Sequence, residues 1–239
     1  MSGQKREFAL LALLAALWGG SFLFMRVAAP AFGPLPLIAL RVGLAACLLL
    51  PLLLWRGQWS LWRGNWLPIA VVGVFFTAFP FSLIAWAQLS LSAGMASVLN
   101  ATTPLMTALW AWPLAGERLS SRRAAGLVLG LAGVLALLAG HGALLMLPLA
   151  WHDWPANPPP AQAWIALSLL AVFCTALAYL IFYRLINRLG ATRASGVTYL
   201  VPVFGVLWGA LFLGETIGAA MLLGAALILA GVLALNARR

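Results

Sequence analysis

The chain has 239 residues, of which 64% are hydrophobic and only 8% charged. A soluble domain of this length is about half apolar and about a quarter charged, so composition argues against a water-soluble enzyme, a disordered chain and a disulfide scaffold. The net charge of +10 does not indicate a nucleic-acid partner, because the Lys and Arg residues stand singly or in pairs between apolar runs rather than on a basic face interleaved with aromatics. At about 20 apolar residues per crossing, the chain holds enough for seven or eight transmembrane helices. The expected fold is an all-α polytopic bundle in a lipid bilayer.

Eight apolar runs follow in chain order: Phe8–Ala28, Leu35–Trp55, Leu67–Leu89, Ala93–Ala115, Ala124–Ala139, Trp164–Ile186, Ala194–Leu213 and Ile217–Leu235. They are continuous rather than alternating, which favours helices over barrel strands, and lipid requires each backbone to bond within its own segment. Lys5 and Arg6 precede a first run of 18 residues, Phe8–Met25. That exceeds the ~7–15 residues of a signal-peptide core, so this run is expected to be a span.

Basic side chains mark the cytoplasmic face. With the N-terminus inside, Lys5, Arg6, Arg56, Arg63, Arg118, Arg122, Arg123, Arg184, Arg188, Arg193, Arg238 and Arg239 all fall inside. The external segments 30–34, 90–92, 141–160 and 214–216 carry none. Both termini are therefore expected in the cytoplasm.

A shift of 98 residues lays much of the chain on itself. Phe75, Thr77 and Ala78 meet Phe173, Thr175 and Ala176; Ala96-Ser97 meets Ala194-Ser195; Pro104 meets Pro202; Gly116-Glu117 meets Gly214-Glu215; and the stretch from Ala132 to Leu137 meets that from Ala230 to Leu235. Matching Leu and Ala arise by chance in apolar sequence, whereas Pro, Gly-Glu and the match of Trp110 with Trp208 at the same fixed spacing do not. The loops carry opposite charge: Arg118, Arg122 and Arg123 follow Glu117, but no basic residue follows Glu215 in the equivalent turn. Equivalent helices with oppositely charged loops insert upside down relative to each other, a plan used by transporters with one central site. The first repeat, 1–140, has five helices. The second, 141–239, has three and an apolar stub at 142–151, so roughly one and a half spans are absent. Two readings stay open: a genuinely shortened bundle, or the loss of an internal segment near Gly140–Gly142.

Trp18-Gly19-Gly20-Ser21-Phe22, Leu40-Arg41, Ala101-Thr102-Thr103-Pro104 followed by Gly116-Glu117, and Tyr199-Leu200-Val201-Pro202 followed by Gly214-Glu215 resemble the EamA branch of the drug/metabolite transporter superfamily. The order and spacing of these motifs carry the resemblance over nearly the whole chain. It implies two inverted five-helix halves, cytoplasmic termini, and transport of small metabolites, amino-acid-like compounds or drugs across an inner membrane, with export expected. The chain departs from that plan by lacking the second-half counterpart of Phe8–Ala28 and most of the next helix. A non-transporting remnant or an assembly partner is therefore the alternative function, and a homodimer is one way to restore the missing wall.

Arg41 is the sharpest candidate for substrate binding. It lies about seven residues into its span, roughly 10 Å deep at ~1.5 Å per residue, where a charge is costly unless it meets water, a partner or an anionic ligand. The alternative is a stem that snorkels to the outer interface; for Arg26, interface anchoring is favoured. No acid lies at membrane depth to pair with either. Trp18 and Ser21 share a helix face, and Gly19 and Gly20 permit close helix approach. Gln88, Asn100 and Thr103 are polar groups facing either ligand or a neighbouring helix, and Tyr179 and Tyr199 are their expected partners across the repeat. Tyr183 is expected at the interface. Pro104 and Pro202 lie within spans, where each removes a backbone hydrogen bond and kinks the helix, as a gate or as a static bend. Glu117 and Glu215 fall at helix ends, where capping or a loop ion pair is favoured.

Cys47 and Cys174 read as small core residues, and His141 and His152 are too isolated for a metal site. No Ser/His pair, metalloprotease motif or carboxylate pair is present at depth. No enzymatic activity, catalytic residue, metal or cofactor is expected.

Overall fold

The computed structural model describes residues 2–55, 71, 73–101, 151–219, 221–222 and 225–226. Among these residues every regular element is helical. The expected fifth span, Ala124–Ala139, most of the last, the stub at 142–150, and Thr103, Pro104 and Glu117 lie outside the described residues. Helix α1 runs Ser2–Phe32 and α2 runs Pro34–Trp55. A π-helical segment, Gly73–Ala78, leads into α3, Phe79–Ala87, and α4 is Ala93–Asn100. Helix α5, Ala161–Ala171, continues through a second π-helical segment, Val172–Leu177, into α6, Ala178–Leu189. The short α7, Ala191–Ser195, a 3-10 turn, Gly196–Tyr199, and α8, Val201–Leu213, follow. Among the described residues, four stretches are long and apolar enough to cross a membrane: Lys5–Phe32, Pro34–Leu52, Ala161–Leu189 and Arg193–Leu213. This is the expected polytopic bundle.

Local chemistry explains the breaks. Gly33 takes φ +80°, a conformation that side chains with a Cβ resist, and so turns α1 into α2 without a longer loop. The seventh expected span is one apolar run but not one helix. Its chain breaks at Leu200, and Pro202 sits in the first turn of α8, where a missing N–H costs nothing. Pro202 therefore starts a helix rather than kinking one in mid-span.

The two π-helical segments stand at equivalent places in the repeat: the Phe75, Thr77 and Ala78 of the first match Phe173, Thr175 and Ala176 of the second. Both pack on α2. Ala39 buries against Ala78, while Ala45 and Leu49 bury against Ala176. Helix α2 thus forms a seam between two copies of the same local structure.

Helix α1 is the central rod. Its first half packs Leu14 and Ala15 against Ala178, Leu185, Ala194 and Val197. At its far end Phe32 meets Trp164 and Trp154, with ring centroids 4.9 and 6.5 Å away. This antiparallel packing places Lys5 and Arg6 at the same end of the bundle as Arg184, Arg188 and Arg193. The equivalent helices α4 and α7 begin at opposite ends, beside Glu215 and beside the α6 terminus respectively. The inverted arrangement inferred from loop charge is therefore built into the packing.

Candidate functional site

Arg41 lies on α2 between its two alanine contacts and is only 4% exposed. It does not snorkel to an interface. Its Nε donates to Thr175 Oγ1 at 3.0 Å, an Nη donates to the Met25 thioether at 3.6 Å, and the guanidinium lies 4.3 Å from the centre of the Phe81 ring. Thr175 in turn donates to the Leu170 carbonyl at 2.9 Å, which turns an oxygen lone pair toward Arg41. Four elements therefore meet at one guanidinium: α1, α2, α3 and the second π-helical segment. A widened helical turn at such a junction is common at functional sites, because it re-aims side chains that a regular helix would stack.

Trp18 and Ser21 both face this side of α1, as their spacing predicted. The Trp18 ring meets Tyr179 edge-on at 6.0 Å and Phe182 at 5.0 Å, and Tyr179 stacks on Tyr183 at 6.0 Å. Tyr179 thus meets Trp18 of the first repeat rather than the polar partner expected for it, Gln88, whose amide bonds to Phe22. The Tyr183 hydroxyl is buried in the protein without a partner. Ser21 is buried beside the Cys174 thiol, and its hydroxyl makes no hydrogen bond to an oxygen or nitrogen atom.

Gln88 is fully buried just beyond α3, donating from its amide to the Phe22 carbonyl at 2.8 Å, while its Oε1 has no partner. Arg26 donates to the Gln88 backbone carbonyl, a protein contact where interface anchoring was expected. Asn100 ends α4 on an exposed side, and Tyr199 ends the 3-10 turn before α8. The structure therefore gathers Arg41, Trp18, Ser21, Tyr179 and Gln88 around α1. It sets Asn100 and Tyr199 at helix ends.

Sequence reading missed Thr175, Phe81, Met25 and Ser82, the last buried with an unpartnered hydroxyl. Thr175 had a signal in its match to Thr77. Phe81 and Met25 had none, since an aromatic or thioether in an apolar run is indistinguishable from packing.

Glu215 resolves as a cap. Its two oxygens accept from Ala93 N at 2.6 Å and Gly94 N at 2.9 Å, while the Ser92 hydroxyl accepts from Met95 N at 3.1 Å. The first three amides of α4, which no helical bond can satisfy, are all accounted for. The approach of α8 that allows this needs Gly205 and Gly209. A Cβ on Gly205 would lie 2.3 Å from Ser97 Oγ, and one on Gly209 would lie 2.3 Å from the Glu215 carboxylate. On α1, a Cβ on Gly19 would lie 2.7 Å from that of Phe204, so the Gly-Gly pair predicted to admit a neighbour admits α8.

These features define a membrane bundle of two inverted copies with a polar, partly unsatisfied junction at its centre. The EamA-like transporter family profile matches residues 7–139 and again 134–237. The chain belongs to this family and is a membrane transporter. It is 32% identical to the uncharacterized protein PA1977 of Pseudomonas aeruginosa over 286 positions, covering 98% of both chains. It is 24% identical to the uncharacterized inner membrane transporter YedA of Escherichia coli K12, covering 88% of this chain and 84% of that one. A WAT1-related chloroplast protein of Arabidopsis thaliana is 26% identical over 92% of this chain, which spans 66% of the plant protein's length. A crystal structure of a protein with 21% identity superposes with a TM-score of 0.65, covering 96% of this chain and 98% of that one, and so shares the fold. The alignment of 286 positions to the Pseudomonas protein exceeds the 239 residues present here, so that relative has a stretch with no counterpart in this chain.

Proposed function

We propose that this transporter exports small organic molecules across an inner membrane, with both termini in the cytoplasm, by rocking one half of the bundle against the other about the α2 seam. One observation carries this reading: equivalent π-helical segments from the two repeats pack on one helix beside buried polar atoms without partners, on Ser21, Ser82 and Gln88. A structure built only for stability leaves few such atoms, whereas a ligand site keeps them for its substrate. The substrate-facing set is Arg41, Trp18, Ser21, Gln88 and Tyr179, joined by Asn100, Thr103 and Tyr199 as the site opens, with Pro202, at the break before α8, and its repeat counterpart Pro104 as the gating residues. The molecule crosses without chemical change, and no metal or cofactor takes part. The test is efflux from proteoliposomes loaded with a metabolite mixture. Release of particular compounds by the protein, and not by empty vesicles, supports the reading; no release in either direction overturns it.

The stretch of relative without a counterpart here favours a second reading, in which the protein assists another transporter or works as a homodimer whose partner completes the wall. Native mass measurement in detergent distinguishes a dimer from a monomer.

A further inference from the structure

We propose that Arg41 anchors a carboxylate, so that the molecule carried is an organic monocarboxylate with an aromatic or apolar body. The inference rests on the transport reading and adds the chemical class of the substrate. A guanidinium buried at membrane depth is expensive unless a counter-charge meets it. Every described neighbour of Arg41 is neutral: Thr175, Met25 and Phe81 in direct contact, with Tyr179 and Cys174 within electrostatic reach. The described acids serve elsewhere or lie apart. Glu215 is spent on the α4 amides and Asp153 pairs with His152 at 3.2 Å, and Glu7 makes no ion pair with Arg41.

The contacts also limit what the anion can be. Phe81 covers a face of the guanidinium, leaving recognition to its edge, where two parallel N–H donors match the two oxygens of a carboxylate. A thioether is a weak acceptor, so a carboxylate displaces the Met25 contact at little cost. Arg26 is engaged at the Gln88 carbonyl, so among the described residues Arg41 is the cation left to face the site, and a dianion would leave uncompensated charge in apolar surroundings. The unpartnered Ser21 hydroxyl beside Cys174 offers a further polar contact, and the rings of Phe81, Trp18 and Tyr179 suit a flat apolar body.

The experiment compares phenylacetate with phenylacetamide, alike in shape and differing in charge, on the purified full-length protein in nanodiscs. Phenylacetate is expected to raise the melting temperature and phenylacetamide to leave it unchanged. Arg41→Gln should weaken phenylacetate binding roughly tenfold or more, the scale of a lost charge-assisted pair, and Arg41→Lys by less. Should Arg41→Gln fail to fold, Thr175→Val keeps the charge but removes its support, and a several-fold weaker response is expected. No response to phenylacetate, an equal response to phenylacetamide or to inorganic phosphate, or an unaltered response in Arg41→Gln overturns the proposal. Arg41-dependent binding without flux refutes transport and leaves the carboxylate subsite standing. Flux of amines or neutral compounds untouched by Arg41→Gln does the reverse.

Discussion

The carboxylate of Glu215 accepts a hydrogen bond from the backbone N–H of Gly94 at 2.9 Å, across 121 positions of sequence and from one repeat to the other. With the Ala93 bond beside it, this contact fastens the end of α8 to the start of α4. A carboxylate suits the place because a helix N-terminus carries partial positive charge as well as open donors.

Glu215→Ala leaves two amides without their partner, each worth about 1–3 kcal/mol where water is scarce. The variant is expected to melt at clearly lower temperature in detergent, and Glu215→Gln, which keeps one acceptor oxygen, should fall between. Equal melting of all three would show that the cap contributes nothing.

Gly205→Ala drives a methyl into Ser97, whose Oγ and Cβ would lie 2.3 and 2.4 Å from it. Overpacking of this kind costs about 1–3 kcal/mol. Ser97→Gly removes both clashing atoms, so the double variant should recover part of the loss, read as a coupling in a double-mutant cycle by thermal unfolding. Ser97→Ala should not rescue, because its Cβ remains.

Thr175 both supports Arg41 and bonds back to Leu170. Thr175→Val keeps the shape and removes both bonds, so an uncompensated buried donor remains and the protein should lose about 1–3 kcal/mol. Thr175→Ser keeps the hydroxyl and should stay near the parent. Denaturation curves of the pair separate lost hydrogen bonding from lost packing.

Inverted insertion predicts the labelling of single cysteines. With Cys47 and Cys174 replaced by serine and alanine, Ser120→Cys beside Glu117 should react only from the cytoplasmic side, and Thr216→Cys beside Glu215 only from the outside. Reaction of both from one compartment would overturn the assigned orientation.

Much of this was readable from the residues because lipid simplifies the problem: long apolar runs must be helices, and Arg placement sorts their ends. The equivalence of the π-helical segments was already present in Phe75-x-Thr77-Ala78 and Phe173-x-Thr175-Ala176. What was not readable is which helices touch. Nothing near Gln88 announces that its amide reaches Phe22, and nothing near Glu215 announces Gly94, because both contacts depend on packing between distant segments. Pro202 misled for a related reason. In an apolar run it signals a kink, yet the helix on its N-terminal side ends at a 3-10 turn, so the ring begins a helix instead.

The Glu215 contact also bears on how the protein is made. Helix α4 enters the membrane long before residue 215 has left the ribosome. Until then the amides of Ala93 and Gly94 have only water at the membrane border to serve them. The early half of the chain is thus held in a provisional state during synthesis, and its final lock arrives with the end of α8. Nascent chains arrested before Gly214 should therefore be digested between α3 and α4 more readily than finished ones.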